Sequence, residues 1–267
     1  MLTKSKQRQL LGSLKEYHRQ YLKKLNPELD ESGTRMMVNA FLTEVLGFEP
    51  IQEVKTEHLI RGAYADYVVQ LKGKQHFLVE VKALGFELSE KHLRQARQYC
   101  ADEGIEWALL TNGIQFDFYK IFFEKPISER KVFSIDLSDS SKLKESVEMF
   151  QYLHKISVAD KEFKPLWNKC VALDPKTVAG LLHNKPVINF IKRALKKKYK
   201  HKFTDNEVIN SLNKVIYEPI QLDNVKQVTV RKRKRNNVDN DQTEKQKEKV
   251  IIPETDNKTV KIDSPIA

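Results

Sequence analysis

Two runs rich in β-branched and aromatic residues, 67–71 and 76–81, flank Lys72-Gly73-Lys74. This is the pattern of a β-hairpin, and it dictates where the charged residues around it must lie. Side chains alternate along a strand, so Glu80 and Lys82 share one face while Phe77, Val79 and Val81 take the other. A three-residue loop centred on Gly73 sets Asp66 directly opposite Glu80. A two-residue loop throws the two carboxylates onto opposite faces unless a bulge intervenes. Carboxylates that meet across a hairpin repel one another unless a divalent cation lies between them. A lysine beside them can orient a water or a phosphate oxygen. Charged residues make up 31% of the chain, so a surface charge cluster is the plain alternative for this trio.

The rest of the first half supports an α/β arrangement. Leu10, Leu11, Leu14, Tyr17, Tyr21, Leu22 and Leu25 recur at helical steps, and Asn26-Pro27 ends that helix. A second helix, capped by Asp30 or Ser32, presents Met36, Met37, Ala40, Phe41, Val45 and Leu46 to a core and stops at Gly47. A strand over 54–60 and a turn at Arg61-Gly62 lead into the hairpin, whose second strand Gly85 closes. A helix over 88–103 follows, with Leu88, His92, Ala96, Tyr99 and Cys100 on one face. Residues 107–111 form the next strand, and Asn112-Gly113 turns it back into 116–121. The order α-α-β-β-β-α-β-β predicts a mixed central sheet in which the crossover helix joins parallel strands. His76, His92, Trp107 and Phe116 read most simply as structural.

Composition removes whole classes of function. Forty per cent of the 267 residues are hydrophobic, enough for a packed core. The two cysteines, Cys100 and Cys170, form no metal-binding spacing and no disulfide framework. No run approaches a membrane span or a signal-peptide core, so a cytoplasmic protein with no membrane partner is expected. No GxxxxGK[ST], GxSxG or HExxH pattern occurs. With Lys and Arg at 47 against 36 acids, the net charge of +11 favours a polyanionic partner.

Asp66 with Glu80-Val81-Lys82 resembles the acidic residue and ExK of the PD-(D/E)xK nuclease superfamily. The surrounding order is narrower still: Glu31-Ser-Gly-Thr34-Arg35, Phe41-Leu42, Leu46-Gly47-Phe48, Ala65-Asp66-Tyr67, Glu80-Val81-Lys82 and Thr111-Asn112-Gly113. Across roughly residues 25–125 it resembles the N-terminal nuclease domain of type I restriction enzyme R subunits and its standalone relatives. Where that family carries Arg after the glycine of its GRADY-like stretch, this chain reads Gly62-Ala63-Tyr64-Ala65-Asp66. No ATP-driven motor accompanies it, so a standalone relative is expected rather than the whole subunit. Gln95 and Tyr99, four apart on a helix, resemble the QxxxY pair that lines RecB-like active sites; a core-edge tyrosine with a solvated glutamine is the alternative.

The resemblance implies a restriction-endonuclease-like fold and a Mg²⁺-dependent DNA endonuclease, with Mn²⁺ able to substitute. Asp66, Glu80 and the Val81 carbonyl would hold the metal and Lys82 would position the nucleophile. Glu31 is a further candidate for the metal; an ordinary acid favoured by the helix dipole is its alternative. The rival functions are a nucleic-acid-binding module that keeps the nuclease fold without cutting, and an adaptor led by a basic helix. RNA and a homo-oligomer are both compatible with these readings.

Beyond residue 140 the texture changes. Segments near 141–155, 177–183, 186–199 and 205–217 look helical and are separated by Pro165, Pro175 and Pro186. The expected division is therefore a nuclease-like domain over 1–140, a small basic helical appendage over 141–220, and a disordered charged tail over 221–267. Residues 185–202 hold eight cations and no acid along an apolar stripe. Lys192, Arg193, Lys196 and Lys197 there, with Arg231 and Arg233 in the tail, are the candidate phosphate contacts; a solvated face is the alternative.

Overall fold

Thr3 caps the first helix, its hydroxyl accepting from the Lys6 amide, and α1 (Lys4–Tyr17) buries Leu10, Leu14 and Tyr17. A π-turn, His18–Leu22, continues it. In this computed structural model the described residues are 1–23, 28–60, 63–217, 225–229 and 249–253. The turns expected at Asn26-Pro27 and Arg61-Gly62 therefore lie outside the described residues, as do Leu25, Arg231 and Arg233. Asp30 caps α2 (Glu31–Ala40), its Oδ1 accepting from the Gly33 amide at 2.8 Å.

Six strands form one sheet in chain order: β1 (Val54–Ile60), β2 (Ala63–Leu71), β3 (Lys74–Val81), β4 (Trp107–Thr111), β5 (Gln115–Phe122) and β6 (Ser128–Asp136). Each neighbouring pair is antiparallel except β3 and β4, which the crossover helix α3 (Glu90–Glu103) joins in parallel. The mixed α/β sheet is thus as the element order predicts, with β6 as an edge strand that the sequence pattern did not reveal. Its burial explains why: Ser128, Arg130, Lys131, Ser134 and Asp136 are exposed, and the residues that reach the core, Val132, Phe133 and Ile135, are confined to its second half, leaving little alternation to read.

The helices occupy both faces of this sheet. On one face α1, α2 and α4 (Leu143–Leu153) close over Phe77, Val79, Val81, Leu109 and Phe118. Aromatic rings fill the space between, including Phe41, Phe116 and Phe150 in mutual contact and Trp107 stacked on Phe118 at 5.4 Å. On the other face α3 alone packs Leu93, Ala96, Tyr99 and Cys100 against Val68, Leu78, Ala108 and Leu110. Leu88, Ala96, Tyr99 and Cys100 are buried as expected; only His92 departs, Leu93 being fully buried in its stead while His92 caps the helix start by accepting from the Ser89 amide.

The first compact unit runs from Met1 to Asp174, past the boundary expected at 140. Phe150, Leu153, Phe163 and Leu166, assigned from sequence to an appendage, are part of the main core. Here α5 (Lys155–Ala159) and α6 (Phe163–Ala172) follow α4, and α6 is a helix the sequence reading omitted. The error lies in reading proline as a separator. Pro165 is the third residue of α6, Pro175 opens α7 (Pro175–Leu182) and Pro186 is second in α8 (Lys185–Tyr199). In the first turn a missing N–H costs nothing and the fixed φ suits the helix.

The second unit, Pro175–Ala267, holds α7, α8 and α9 (Asp205–Tyr217). Within the tail expected to be disordered, β7 (Val225–Thr229) pairs antiparallel with β8 (Lys249–Pro253). The rest of that tail lies outside the described residues.

Candidate active site

Register decides whether the two carboxylates can meet. Lys72 and Gly73 both have positive φ (49° and 76°), the signature of a two-residue hairpin turn, and Leu71 pairs with Lys74. By itself this shorter loop puts Asp66 and Glu80 on opposite faces. A bulge between Val69 and Gln70 restores the phase: Gln70 pairs with Gln75, yet Val69 pairs with Phe77 and Tyr67 with Val79. His76 is the extra residue. The paired register ends at Tyr67 and Val79; Asp66 lies just beyond it, and its carboxylate meets the Val81 amide and Arg35 of α2.

The side chains converge at the end of β3. Asp66 Oδ2 accepts from the Val81 amide at 2.8 Å, and Arg35 Nη1 lies 3.4 Å from Oδ1. Lys82 Nζ donates to Glu80 Oε1 at 2.6 Å and lies 3.9 Å from Glu31 Oε2. Glu80 is 3% exposed, and its other oxygen, Oε2, is buried and accepts no hydrogen bond from the described residues. Burial pushes the Glu80 carboxyl up to about 7 even though Lys82 opposes the shift. Burial also raises Asp66, against the pull of the Val81 amide and Arg35. For Lys82, burial disfavours the ammonium, but the bond to Glu80 and the nearby acids outweigh it and its pKa rises.

Two carboxylates are thus drawn out of water with one buried acceptor uncommitted. A bare buried carboxylate oxygen is costly, and a hard divalent cation that takes carboxylate and carbonyl oxygens relieves that cost. The residues fit such an ion, with Asp66, Glu80 and the Val81 carbonyl as the donor set. Glu31 faces Lys82, and its charge bears on both carboxylates. Among the described residues no three or more His, Cys, Asp or Glu side chains gather into a metal cage.

Arg35 belongs to this cluster, and the sequence reading did not single it out as a site residue. The signal was available: Glu31 and Arg35 are four apart and so share one face of α2. Tyr67 helps set the position of α2, its hydroxyl donating to the Arg35 carbonyl at 2.6 Å. Met36, expected in the core, is 76% exposed and lines an open cleft with Arg35, Asn39, Thr56, Asp66 and Tyr67. Gln95 Nε2 donates to the Tyr99 hydroxyl at 2.5 Å; Gln95 is exposed and Tyr99 buried on the α3 face of the sheet. Two strands from Glu80, buried Asp117 accepts from Lys131, Ser134, Gln115 and Tyr119. That acid is fully satisfied and reads as structural.

In the second unit, considered by itself, α8 presents Arg193, Lys196 and Lys197 to solvent. Lys192 differs. Its Nζ bonds to Asp205 Oδ1 of α9 at 2.7 Å, and Lys185 pairs with the same carboxylate. The segment without acids in sequence therefore acquires one in space. Substituting Arg193, Lys196 and Lys197 together is expected to flatten the salt dependence of DNA binding by roughly 0.9 in log–log slope per lost phosphate contact. Lys192→Ala should leave the slope unchanged, as fluorescence anisotropy across salt concentrations can determine.

Residues 30–129 match the family described as Type I restriction enzyme R protein N terminus (HSDR_N). No curated protein matches. Among solved structures, the type IIG restriction endonuclease BpuSI aligns with 25% identity and a TM-score of 0.36, over 51% of this chain and 18% of that one. The chain thus spans under a fifth of the length of that enzyme, and so loose a superposition carries no weight. The family match spans α2 through the start of β6 and so encloses Glu31, Arg35, Asp66, Glu80 and Lys82. Over these residues, the chain is similar to the N terminus of type I restriction enzyme R proteins.

Proposed function

We propose that this chain is a metal-dependent DNA endonuclease that hydrolyses phosphodiester bonds, using Mg²⁺ and tolerating Mn²⁺. The observation that carries the reading is the buried, uncommitted Glu80 Oε2 beside Asp66 and Lys82. Asp66, Glu80 and the Val81 carbonyl would hold the ion, which would supply an activated water and offset charge on the scissile phosphate. The protein groups perform the positioning. The Val81 amide and Arg35 hold the Asp66 carboxylate in one orientation. Lys82, already anchored on Glu80, directs its remaining N–H groups to the attacking water or a phosphate oxygen. The expected products carry a 5′-phosphate and a 3′-hydroxyl. The exposed cations of α8 supply affinity for the DNA backbone irrespective of sequence.

Plasmid, linear duplex and single-stranded DNA incubated with Mg²⁺ test this directly. Cleavage of at least one substrate with Mg²⁺, and none with EDTA, is expected. DNA binding without either cleavage or metal uptake would replace this reading with that of a non-cutting nucleic-acid-binding module.

A further inference from the structure

The loop between β3 and α3 spans residues 82–89. Leu84 and Leu88 are buried, in the cores on the two opposite faces of the sheet, while Phe86 between them is 59% exposed. Its exposure does not come from a loose loop. The Phe86 amide donates to the Ala83 carbonyl at 2.9 Å, and the Phe86 carbonyl accepts from Asn112 Nδ2 at 2.9 Å. Asn112 is itself buried, and its Oδ1 accepts from the Ile114 and Gln115 amides. The Asn-Gly turn thus does more than reverse the chain between β4 and β5: it holds the loop that carries Phe86. The Phe86 ring stands at a steep angle to His92, with ring centroids 6.4 Å apart, and stays largely open to solvent.

Phe86 lines a cleft with Leu29, Asp30, Glu31, Ala83 and Gly85. Glu31 also faces Lys82 Nζ, so the cleft adjoins the catalytic cluster. Its charged walls are acidic, which disfavours a phosphate there and leaves the aromatic face for an uncharged flat group. A nucleobase beside the phosphate held at Lys82 is such a group, and aromatic side chains receive bases of any sequence by stacking. A base inside a duplex already has stacking partners on both sides, so the occupant must be unpaired or flipped out.

We propose that Phe86 is a stacking platform for an unpaired nucleobase of the strand being cut, and that Asn112 is the positioning residue that holds it. The inference rests on the nuclease reading and narrows its substrate to DNA with an unpaired base next to the cut. The test uses the full chain in EDTA with a single-stranded DNA oligonucleotide of about 12 nucleotides, intact or with central abasic positions. In Phe86→Trp, the added fluorescence relative to wild type, which contains Trp107 and Trp167, should be quenched saturably by the intact strand and not by the abasic one. Phe86→Ala should bind the intact strand roughly ten- to a hundredfold more weakly than wild type. It should bind the abasic strand equally well, and Phe86→Tyr should restore affinity. Equal quenching by both strands, or wild-type affinity in Phe86→Ala, would overturn the proposal. Quenching by a protein that never cleaves with Mg²⁺ sinks the nuclease reading and leaves the stacking site standing; cleavage without quenching does the reverse.

Discussion

Lys82→Ala is expected to lose DNA cleavage by about a hundredfold or more while the protein still takes up Mg²⁺, and Asp66→Ala and Glu80→Ala are expected to lose both. The difference follows from what each group contributes. On the proposed reading Asp66 and Glu80 would each give a charged oxygen to the ion, so removing either should weaken its binding. Lys82 offers only N–H donors, bonded to Glu80 Oε1 and close to Glu31. Its loss removes positioning and charge stabilisation and leaves the carboxylates in place. DNA affinity without metal should survive in all three variants, because exposed cations supply it, and should rise in the carboxylate variants as repulsion of the phosphate falls. Isothermal titration with Mg²⁺ beside cleavage rates separates the outcomes. Wild-type cleavage by Lys82→Ala would place the catalytic centre elsewhere.

Glu80→Gln should raise the melting temperature of the metal-free protein at pH 8 while abolishing Mg²⁺ binding. Burial holds the Glu80 carboxyl near 7 in the folded chain, against an ordinary value of 4.5. Between these values the folded state keeps a proton that the unfolded state has released, so stability falls as pH rises from about 4.5 through about 7. Above that window the ionised, half-satisfied carboxylate costs up to about 3 kcal/mol, which the neutral amide largely avoids. Wild type and Glu80→Gln should therefore converge in stability below pH 4.5 and separate above 7. Mg²⁺ should close the gap by stabilising only the wild type. The same proton opposes metal uptake, so Mg²⁺ affinity and cleavage both rise with pH through about 7. Thermal melts over pH 4–9, with and without Mg²⁺, check the sign. A less stable Glu80→Gln at pH 8 would show that the carboxylate is better satisfied than its geometry indicates.

The hairpin shows how much of a strand register a single sequence leaves open. The three-residue loop expected around Gly73 is a two-residue one, and a bulge at His76 shifts the register by one residue before Tyr67 pairs with Val79. Bulges leave little trace in a single sequence, because the extra residue needs no special chemistry. The edge strand β6 escaped because its pattern is polar on most positions, and α6 because Pro165 was read as a break. Arg35 and Lys192 illustrate the converse. Arg35 gains its role from Asp66, 31 residues away, and Lys192 loses part of its charge to Asp205 on the next helix.

What the amino-acid order determined alone is the local and periodic part of this protein: the strand–turn–strand that carries Asp66, Glu80 and Lys82, the crossover helix between parallel strands, and the motif order shared with the restriction-enzyme family. These depend on propensity, alternation and spacing within a few residues of each other. Tertiary structure alone decided the state of those groups. That Glu80 Oε2 is buried without a partner, that Arg35 and Glu31 enter from α2, and that Asn112 reaches back to hold Phe86 outward all depend on contacts between segments distant in the chain. Burial and electrostatic coupling are set by what packs around a group, and the local sequence does not carry that information.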